Sequence, residues 1–174
     1  MDPVQKLASG GPVALKMARG ALRRGDESRS FYTRRLTSNA VDALHQKGLS
    51  PWPGIWQSFI PKGREWRVTV VGDLVFEVVV LAGSPSSSDW RREQFDGTVQ
   101  FRTGQLPESE RTRCLSLVRE LGLSYGCIDL IETPDGGLVF LEVNANGQYL
   151  WLDEQLQLGI GKAVADLLKV DEPR

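Results

Sequence analysis

Two apolar runs, 127–131 and 138–143, flank Pro134-Asp135-Gly136-Gly137. Asp-Gly between such runs predicts a β-hairpin, because both residues tolerate positive φ. Whether the loop is Asp135-Gly136 or the four residues 134–137, its centre is the same, and Asp129 then stands directly across from Glu142. Asn144 follows on the same strand face, roughly 7 Å further along. Two like charges opposed in this way, with about 4.5–5.5 Å between Cβ atoms, repel each other and weaken a sheet. A divalent cation resolves the conflict: two carboxylates and an amide oxygen are hard ligands of the kind Mg²⁺ accepts, with phosphate oxygens and water completing its shell. The alternative is a solvent-facing polar stripe in a register shifted by one residue, and at this level both readings stay open.

The rest of the composition narrows the function classes. At 174 residues the chain is about one domain long and can bury a sizeable core. Its 21 Lys and Arg nearly balance its 22 Asp and Glu, so no nucleic acid or other polyelectrolyte partner is implied. The single histidine, His45, reads as a surface residue in a loop-like setting and argues against a His-rich metal site or a Ser-His-Asp hydrolase. Cys114 and Cys127 form no CxxC pair and read as buried thiols of a reducing compartment. No signal peptide or run of about eighteen apolar residues is found, so the expectation is a soluble cytoplasmic protein without a membrane partner.

Along the chain, 13–17 reads as a strand carrying Lys16, 19–26 as a mobile polar loop, 31–36 as a strand, and 38–46 as a short helix with Ser38 as N-cap. Pro51-Trp52-Pro53-Gly54 is a breaker, and 55–63 is a strand running into a turn; together they read as a hinge. Residues 64–71 alternate, with Glu65, Arg67 and Thr69 on one face and Trp66, Val68 and Val70 on the other. Gly72-Asp73 turns that strand into a second one over 74–82; a Ser-rich loop over 84–88 and Asp89-Trp90-Arg91 follow. One helix is predicted over 108–121, stopped by Gly122, and another over 156–168. Strand hairpins interrupted by helices predict an α+β fold of antiparallel sheets with packed helices. The expected division is 1–58, the remnant of a small lobe with its hinge, and 59–174, a large lobe.

Lys16, the hinge, Glu65, Arg67 and the Asp/Glu/Asn cluster outline a nucleotide site. In it a lysine and an arginine meet phosphates, carboxylates hold Mg²⁺, and hinge backbone groups meet adenine. Neither GxxxxGK[ST] nor GxGxxG is present, so the two commonest phosphate-binding sequences are excluded.

The segments Tyr32-Thr33-Arg34, Gln57-Ser58-Phe59-Ile60-Pro61-Lys62, Glu65-Trp66-Arg67-Val68-Thr69-Val70-Val71-Gly72-Asp73, Asp89-Trp90-Arg91, Leu121-Gly122-Leu123 and Glu142-Val143-Asn144-Ala145-Asn146-Gly147-Gln148-Tyr149-Leu150-Trp151 cover nearly the full chain. Together they resemble ATP-grasp ligases of the microviridin (graspetide) type, which mature ribosomal peptides. The core around Asp129, Thr133-Pro134-Asp135-Gly136 and Leu141-Glu142-Val143-Asn144 is similar to the ribosomal-protein glutamate-ligase branch. The resemblance implies the ATP-grasp fold in its C-terminal region, with ATP and Mg²⁺ as cofactors. It implies that Lys16 meets ATP phosphates, that Gln57, Ser58, Phe59 and Ile60 line adenine, and that Glu65 holds the ribose. Arg67 and Arg91 are implied as the catalytic cations near the γ-phosphate and an acyl phosphate, and Asp129, Glu142 and Asn144 as the metal ligands.

The implied reaction joins a side-chain carboxylate of a precursor peptide, activated as an acyl phosphate, to a hydroxyl or amine as an ester or amide. Two rivals share the core: a non-catalytic peptide- or partner-binding module, and an amino-acid carboxylate–amine ligase of the glutamate type. Family members carry an N-terminal domain and another phosphate-binding lysine ahead of the strand that matches Lys16. The chain is therefore expected to be a truncated piece, or a reduced protein that draws on an N-terminal domain or a homo-oligomer partner. Removing either Asp129 or Glu142 is expected to leave the metal-free fold intact or slightly more stable. By itself the chain is expected to bind nucleotide weakly or not at all, and calorimetry that gave a low-micromolar ATP affinity would contradict this.

Overall fold

A computed structural model describes residues 2–17, 21–24, 27–30, 32–48, 54–81, 89–91 and 97–169, with backbone only at 17, 21–24 and 27–30. The Pro51-Trp52-Pro53 breaker, Phe31 and the 84–88 loop lie outside the described residues. The chain forms two compact units, one of Met1–Pro61 with Gly83–Thr98 and one of Lys62–Ala82 with Val99–Arg174. The division thus falls at Pro61/Lys62, where the sequence reading put it after residue 58. The segment with Asp89-Trp90-Arg91, expected in the large lobe, groups with the smaller unit.

The smaller unit is built on a three-stranded sheet in the order β4 (Arg34–Leu36), β1 (Val13–Met17), β5 (Gly54–Ser58), all antiparallel. Helix α1 (Pro3–Ser9) was not anticipated; helix α2 spans Ser38–Gln46 as predicted. Thr37, not Ser38, is the N-cap of α2, its side chain accepting from the Ala40 N–H. Ser38 instead donates its hydroxyl to the Ala8 carbonyl and ties the two helices together. Val4, Ala8 and Val41 from the helices pack with Val13, Leu36 and Trp56 from one sheet face. His45 is exposed, as expected, but in the last turn of α2 and 3.6 Å from the Asp2 carboxylate, not in a loop. The polar segment 19–26, read as a mobile loop, holds strand β2 (Ala21–Arg24), which pairs with β3 (Glu27–Ser30) just beyond it.

The larger unit is a five-stranded antiparallel sheet in the order β10 (Leu138–Asn144), β9 (Tyr125–Glu132), β6 (Arg64–Val71), β7 (Leu74–Leu81), β8 (Gln100–Thr103). Strand β6 lies at its centre and realises the predicted alternation. Trp66, Val68 and Val70 are buried on one face with Ile128, Leu130 and Val79, beneath Cys114 and Val118 of α3 (Glu108–Glu120). Gly122, at φ +69, ends α3: the Leu123 and Gly122 N–H groups donate to Val118 and Arg119. That is the paired closure a left-handed residue makes possible. Both cysteines are buried free thiols, and burial raises the Cys114 thiol to about 11.

The closing helix predicted over 156–168 is two helices, α4 (Leu150–Leu156) and α5 (Ile160–Lys169). Gln157 (φ 52) and Gly159 (φ 79) turn the chain between them. Asp153 of α4 accepts from the Ile160 and Gly161 N–H groups, at 2.9 and 2.8 Å, and so satisfies the opening of α5. Burial works against the charged form of Asp153, yet these N–H groups outweigh it and hold the carboxyl below its ordinary range. Val71, Ile160 and Ala163 form the core beneath these helices, on the sheet face opposite α3. No helix among the described residues is long and apolar enough to cross a membrane.

One polar group breaks the pattern on the α3 face. Glu77, directly opposite Val68, points under α3, and its Oε1 is buried without a hydrogen-bond partner. Burial pushes the Glu77 carboxyl up, and the Leu106 N–H and the Arg111 charge offset this only partly. The folded protein therefore keeps a proton on Glu77 at a pH where the unfolded chain has lost it. Stability falls as pH rises through that interval. Glu77→Gln should melt above the wild type at about pH 8, with the gap closing toward about pH 4; a gap independent of pH would contradict this.

Candidate active site

Strands β6, β9 and β10 lay out the face opposite α3 in rows. The hairpin turn is five residues long: the Thr133 N–H donates to the Gly137 carbonyl (2.8 Å) and the Gly136 N–H to the Thr133 carbonyl (2.9 Å), with Gly136 at φ +87. This sets Leu138 opposite Glu132, Val139 opposite Ile131 and Phe140 opposite Leu130, one residue out of the predicted register. Continued, that pairing would put Leu141 across from Asp129 and turn Glu142 onto the α3 face. A bulge between Phe140 and Glu142 inserts one extra residue and restores the predicted pair, Glu142 opposite Asp129, then Val143 opposite Ile128 and Asn144 opposite Cys127.

Strand β6 completes the rows, with Arg67 opposite Asp129, Thr69 opposite Cys127 and Glu65 opposite Ile131. Asp129 thus stands between Arg67 on one side and Glu142 on the other. Arg67 is buried, at 7 % exposure, and its Nη1 donates to Asp129 Oδ1 at 2.8 Å. Burial acts to lower the Arg67 pKa, but the Asp129 charge and hydrogen bond outweigh it and the pKa is raised, so the guanidinium stays charged. Arg67 Nη2 donates to the Gln148 carbonyl (3.3 Å), while its Nε is buried without a hydrogen-bond partner. The cross-strand repulsion inferred from the sequence is therefore met first by a protein cation, and a metal is not needed to explain why Asp129 is tolerated there.

Glu142 and Asn144 are exposed on the same face. Asn144 Oδ1 accepts from the Asn146 N–H (2.9 Å), which fixes the amide in a local turn. Among the described residues no three His, Cys, Asp or Glu side chains cluster in a metal-holding arrangement. The candidate set is two carboxylates and an amide, so a divalent ion on it would draw its other ligands from phosphate or water. Glu65 faces the same side as Arg67, and Lys62 Nζ lies 2.5 Å from its Oε1 with both side chains largely buried.

In the smaller unit Lys16 and Gln57 lie on the sheet face away from α1 and α2, since Lys16 pairs with Ile55 and Gln57 with Ala14. Ser58 pairs with Val13, on the face that carries the helices, and is exposed at the end of its strand. The Phe59 ring lies under the Arg35 guanidinium, 4.8 Å from its centroid, and Ile60 follows at half exposure. Exposed Arg91 lies over the buried Trp90 ring, and Asp89 accepts from the Arg91 and Thr33 N–H groups.

Three residues that shape this face were not read as site residues from the sequence: Tyr125, Cys127 and Gly147. The Tyr125 hydroxyl donates to the Gly147 carbonyl and lies 3.0 Å from Cys127 Sγ. Burial raises the Tyr125 pKa and keeps the phenol protonated. Period-two alternation back from Asp129 through Cys127 would have put Tyr125 on the same face.

The RimK-like ATP-grasp domain family matches residues 12–168. N-acetylaspartylglutamate synthase A of Mus musculus is 28% identical over 161 residues, which is 90% of this chain and 40% of that protein. A RiPP-associated ATP-grasp ligase of Chryseobacterium gregarium, solved with ADP and a leader and core peptide, superposes with a TM-score of 0.81 at 29% identity, over 98% of this chain and 52% of that one. Macrocyclase MdnC of Microcystis aeruginosa MRC, bound with precursor peptide MdnA, superposes with a TM-score of 0.74 at 30% identity, over 97% of this chain and 52% of that one. The chain spans about half the length of these solved relatives and less than half of the curated one.

The ion pair separates the two carboxylates in stability and corrects the expectation that both can be removed without loss. Asp129→Ala strands a buried guanidinium and should lower unfolding free energy by about 3–5 kcal/mol. Glu142→Ala, at an exposed position, should stay within about 0.5 kcal/mol of wild type. Denaturant unfolding in chelator checks both, and equal stabilities for the two variants would contradict the assignment.

Proposed function

Because this chain belongs to the RimK-like ATP-grasp family, we propose that it supplies the phosphate- and metal-holding part of an ATP- and Mg²⁺-dependent carboxylate ligase. The observation that carries this reading is Arg67: a buried cation with one N–H lacking any protein acceptor, beside Asp129, on a face that exposes Glu142 and Asn144. An unsatisfied buried donor of this kind favours an anionic partner. Hard oxygen donors in the same rows fit Mg²⁺.

Asp129, Glu142 and Asn144 would hold Mg²⁺, and the ion when bound supplies charge neutralisation to the phosphates of ATP. Arg67 and Arg91 would stabilise the transferring phosphoryl group and the acyl phosphate, Glu65 would orient the ribose, and Lys16 would take ATP phosphates. The 57–60 segment (Gln57, Ser58, Phe59, Ile60) would line adenine. In the reaction a carboxylate oxygen takes the γ-phosphoryl group and ADP leaves. A hydroxyl or amine then attacks the carbonyl, inorganic phosphate leaves, and the nucleophile's proton is lost, giving an ester or amide. No protein nucleophile is required; the protein positions the reactants and neutralises charge.

The likeness to two peptide-bound ligases favours a precursor peptide as substrate, its Asp or Glu side chains joined to Ser, Thr or Lys side chains. The likeness to an amino-acid ligase favours a second reading, a small carboxylate joined to an amino acid.

The test incubates a complete enzyme that carries this chain as its ATP-grasp region with ATP, Mg²⁺ and a peptide carrying Thr and Glu side chains, and in parallel with N-acetylaspartate and glutamate. Loss of water from the peptide, matched by ADP release, is the expected result. Glu142→Gln should lower that rate about 10²–10³-fold. Turnover of the amino acids alone would favour the second reading, and full turnover by Glu142→Gln would overturn the metal assignment.

A further inference from the structure

We infer that Tyr125 is a positioning residue for the metal face, acting through the turn at 144–148 that follows β10; this rests on the metal reading above. The turn carries Asn144 and, four residues on, the Gln148 carbonyl that holds Arg67 Nη2. Its own bonds are few: the Asn146 N–H to Asn144 Oδ1 at 2.9 Å and the Gly147 N–H to the Asn144 carbonyl at 3.2 Å. What joins it to the sheet at Gly147 is the Tyr125 hydroxyl, which donates to the Gly147 carbonyl.

A phenol has one hydrogen to give. With that hydrogen on Gly147, the thiol is free to donate across the 3.0 Å contact between Cys127 Sγ and the Tyr125 oxygen. The Thr69 hydroxyl, 3.6 Å from the same sulfur, can then donate to Cys127. Thr69, Cys127 and Tyr125 form a relay of donors that runs along the sheet face and ends on the turn. Thr69 and Cys127 are paired across β6 and β9, one row beyond Arg67 and Asp129.

The turn lies tight against this relay. A Cβ on Gly147 would come within 2.6 Å of Cys127 Sγ and 3.0 Å of Arg67 Nη2. Only a glycine lets the backbone approach closely enough for its carbonyl to reach the Tyr125 hydroxyl and for the next carbonyl to reach Arg67. Tyr125 therefore fixes two things at once, the turn that orients the Asn144 amide and the acceptor that holds one arm of Arg67. The Tyr125 ring also packs 5.9 Å from Tyr149, in the core beneath α5. That packing survives in Tyr125→Phe, so this variant removes the hydroxyl and little else.

Two signals are read on a complete enzyme that carries this chain: amide exchange at Asn146 and Gly147 in chelator, and Mn²⁺ binding in the presence of ADP by electron paramagnetic resonance. Tyr125→Phe should speed exchange at both amides about tenfold and weaken Mn²⁺ binding about five- to tenfold, as expected for one lost hydrogen bond, with exchange at Val68 and Ile128 unchanged. Glu142→Gln should weaken Mn²⁺ without touching the turn amides. Should Tyr125→Phe not fold, Gly147→Ala, whose added Cβ would meet Cys127 and push the turn away from the Tyr125 hydroxyl, should produce both effects. Unchanged turn exchange, or faster exchange with unchanged Mn²⁺ affinity, overturns the inference while Glu142→Gln still reports the metal. Undetectable Mn²⁺ binding, or Mn²⁺ binding indifferent to Glu142→Gln, overturns the metal reading and this inference with it.

Discussion

The buried pair of Arg67 and Asp129 is the interaction on which the larger unit's polar face depends. It sits on the central strand of a five-stranded sheet, directly across from its nearest neighbour strand, with the apolar α3 core on the other side of the same two strands. Two charges taken out of water are tolerated only when each is met by the other and by further hydrogen bonds. Arg67 meets Asp129 with one arm and a backbone carbonyl with another, and has a third donor to spare. The same burial that makes the pair a structural necessity also gives that spare donor its value toward an anion, because a charge is screened least where water is excluded.

Around this pair the polar side of the sheet is arranged by strand register, and the register depends on a single extra residue. The five-residue turn alone would present Leu141 to Asp129 and direct Glu142 under α3. The bulge at Leu141 exchanges them, so that two carboxylates and an amide share one face while Val143 returns to the apolar side. An edge strand can carry such an irregularity, since only one ladder is disturbed. The bulge also makes the exposed edge a poor template for pairing with another chain.

Elements with strong local signals were legible in the sequence. The alternation of 64–71 emerged as a strand with the same ends, because its apolar face matches the buried side of a sheet. The helix at 108–120 and its Gly122 stop followed from spacing and from a glycine that reaches positive φ. Two other local elements carried no such signal. The break between α4 and α5 lies at Gln157, an ordinary residue held in the left-handed region where Asp153 reaches across to cap the next helix. The hairpin of β2 and β3 lies in a polar, Gly-punctuated stretch whose composition resembles a loop, with no apolar alternation to mark it.

What the sequence by itself determined is the chemistry available: an Asp, a Glu and an Asn spaced for one face of a hairpin, an Arg on an alternating strand, and no phosphate-binding glycine loop. The segments around these residues also carried the family resemblance, since motif spacing is local. Tertiary structure decided how the charges are balanced. Arg67 lies more than sixty positions from Asp129 in the chain, and only the pairing of β6 with β9 shows that the carboxylate is neutralised from within. The correct opposition of Asp129 and Glu142 likewise arises from a turn and a bulge whose shifts cancel. Cross-strand register is a property of two segments packed on a common core, and no single segment contains the information that sets it.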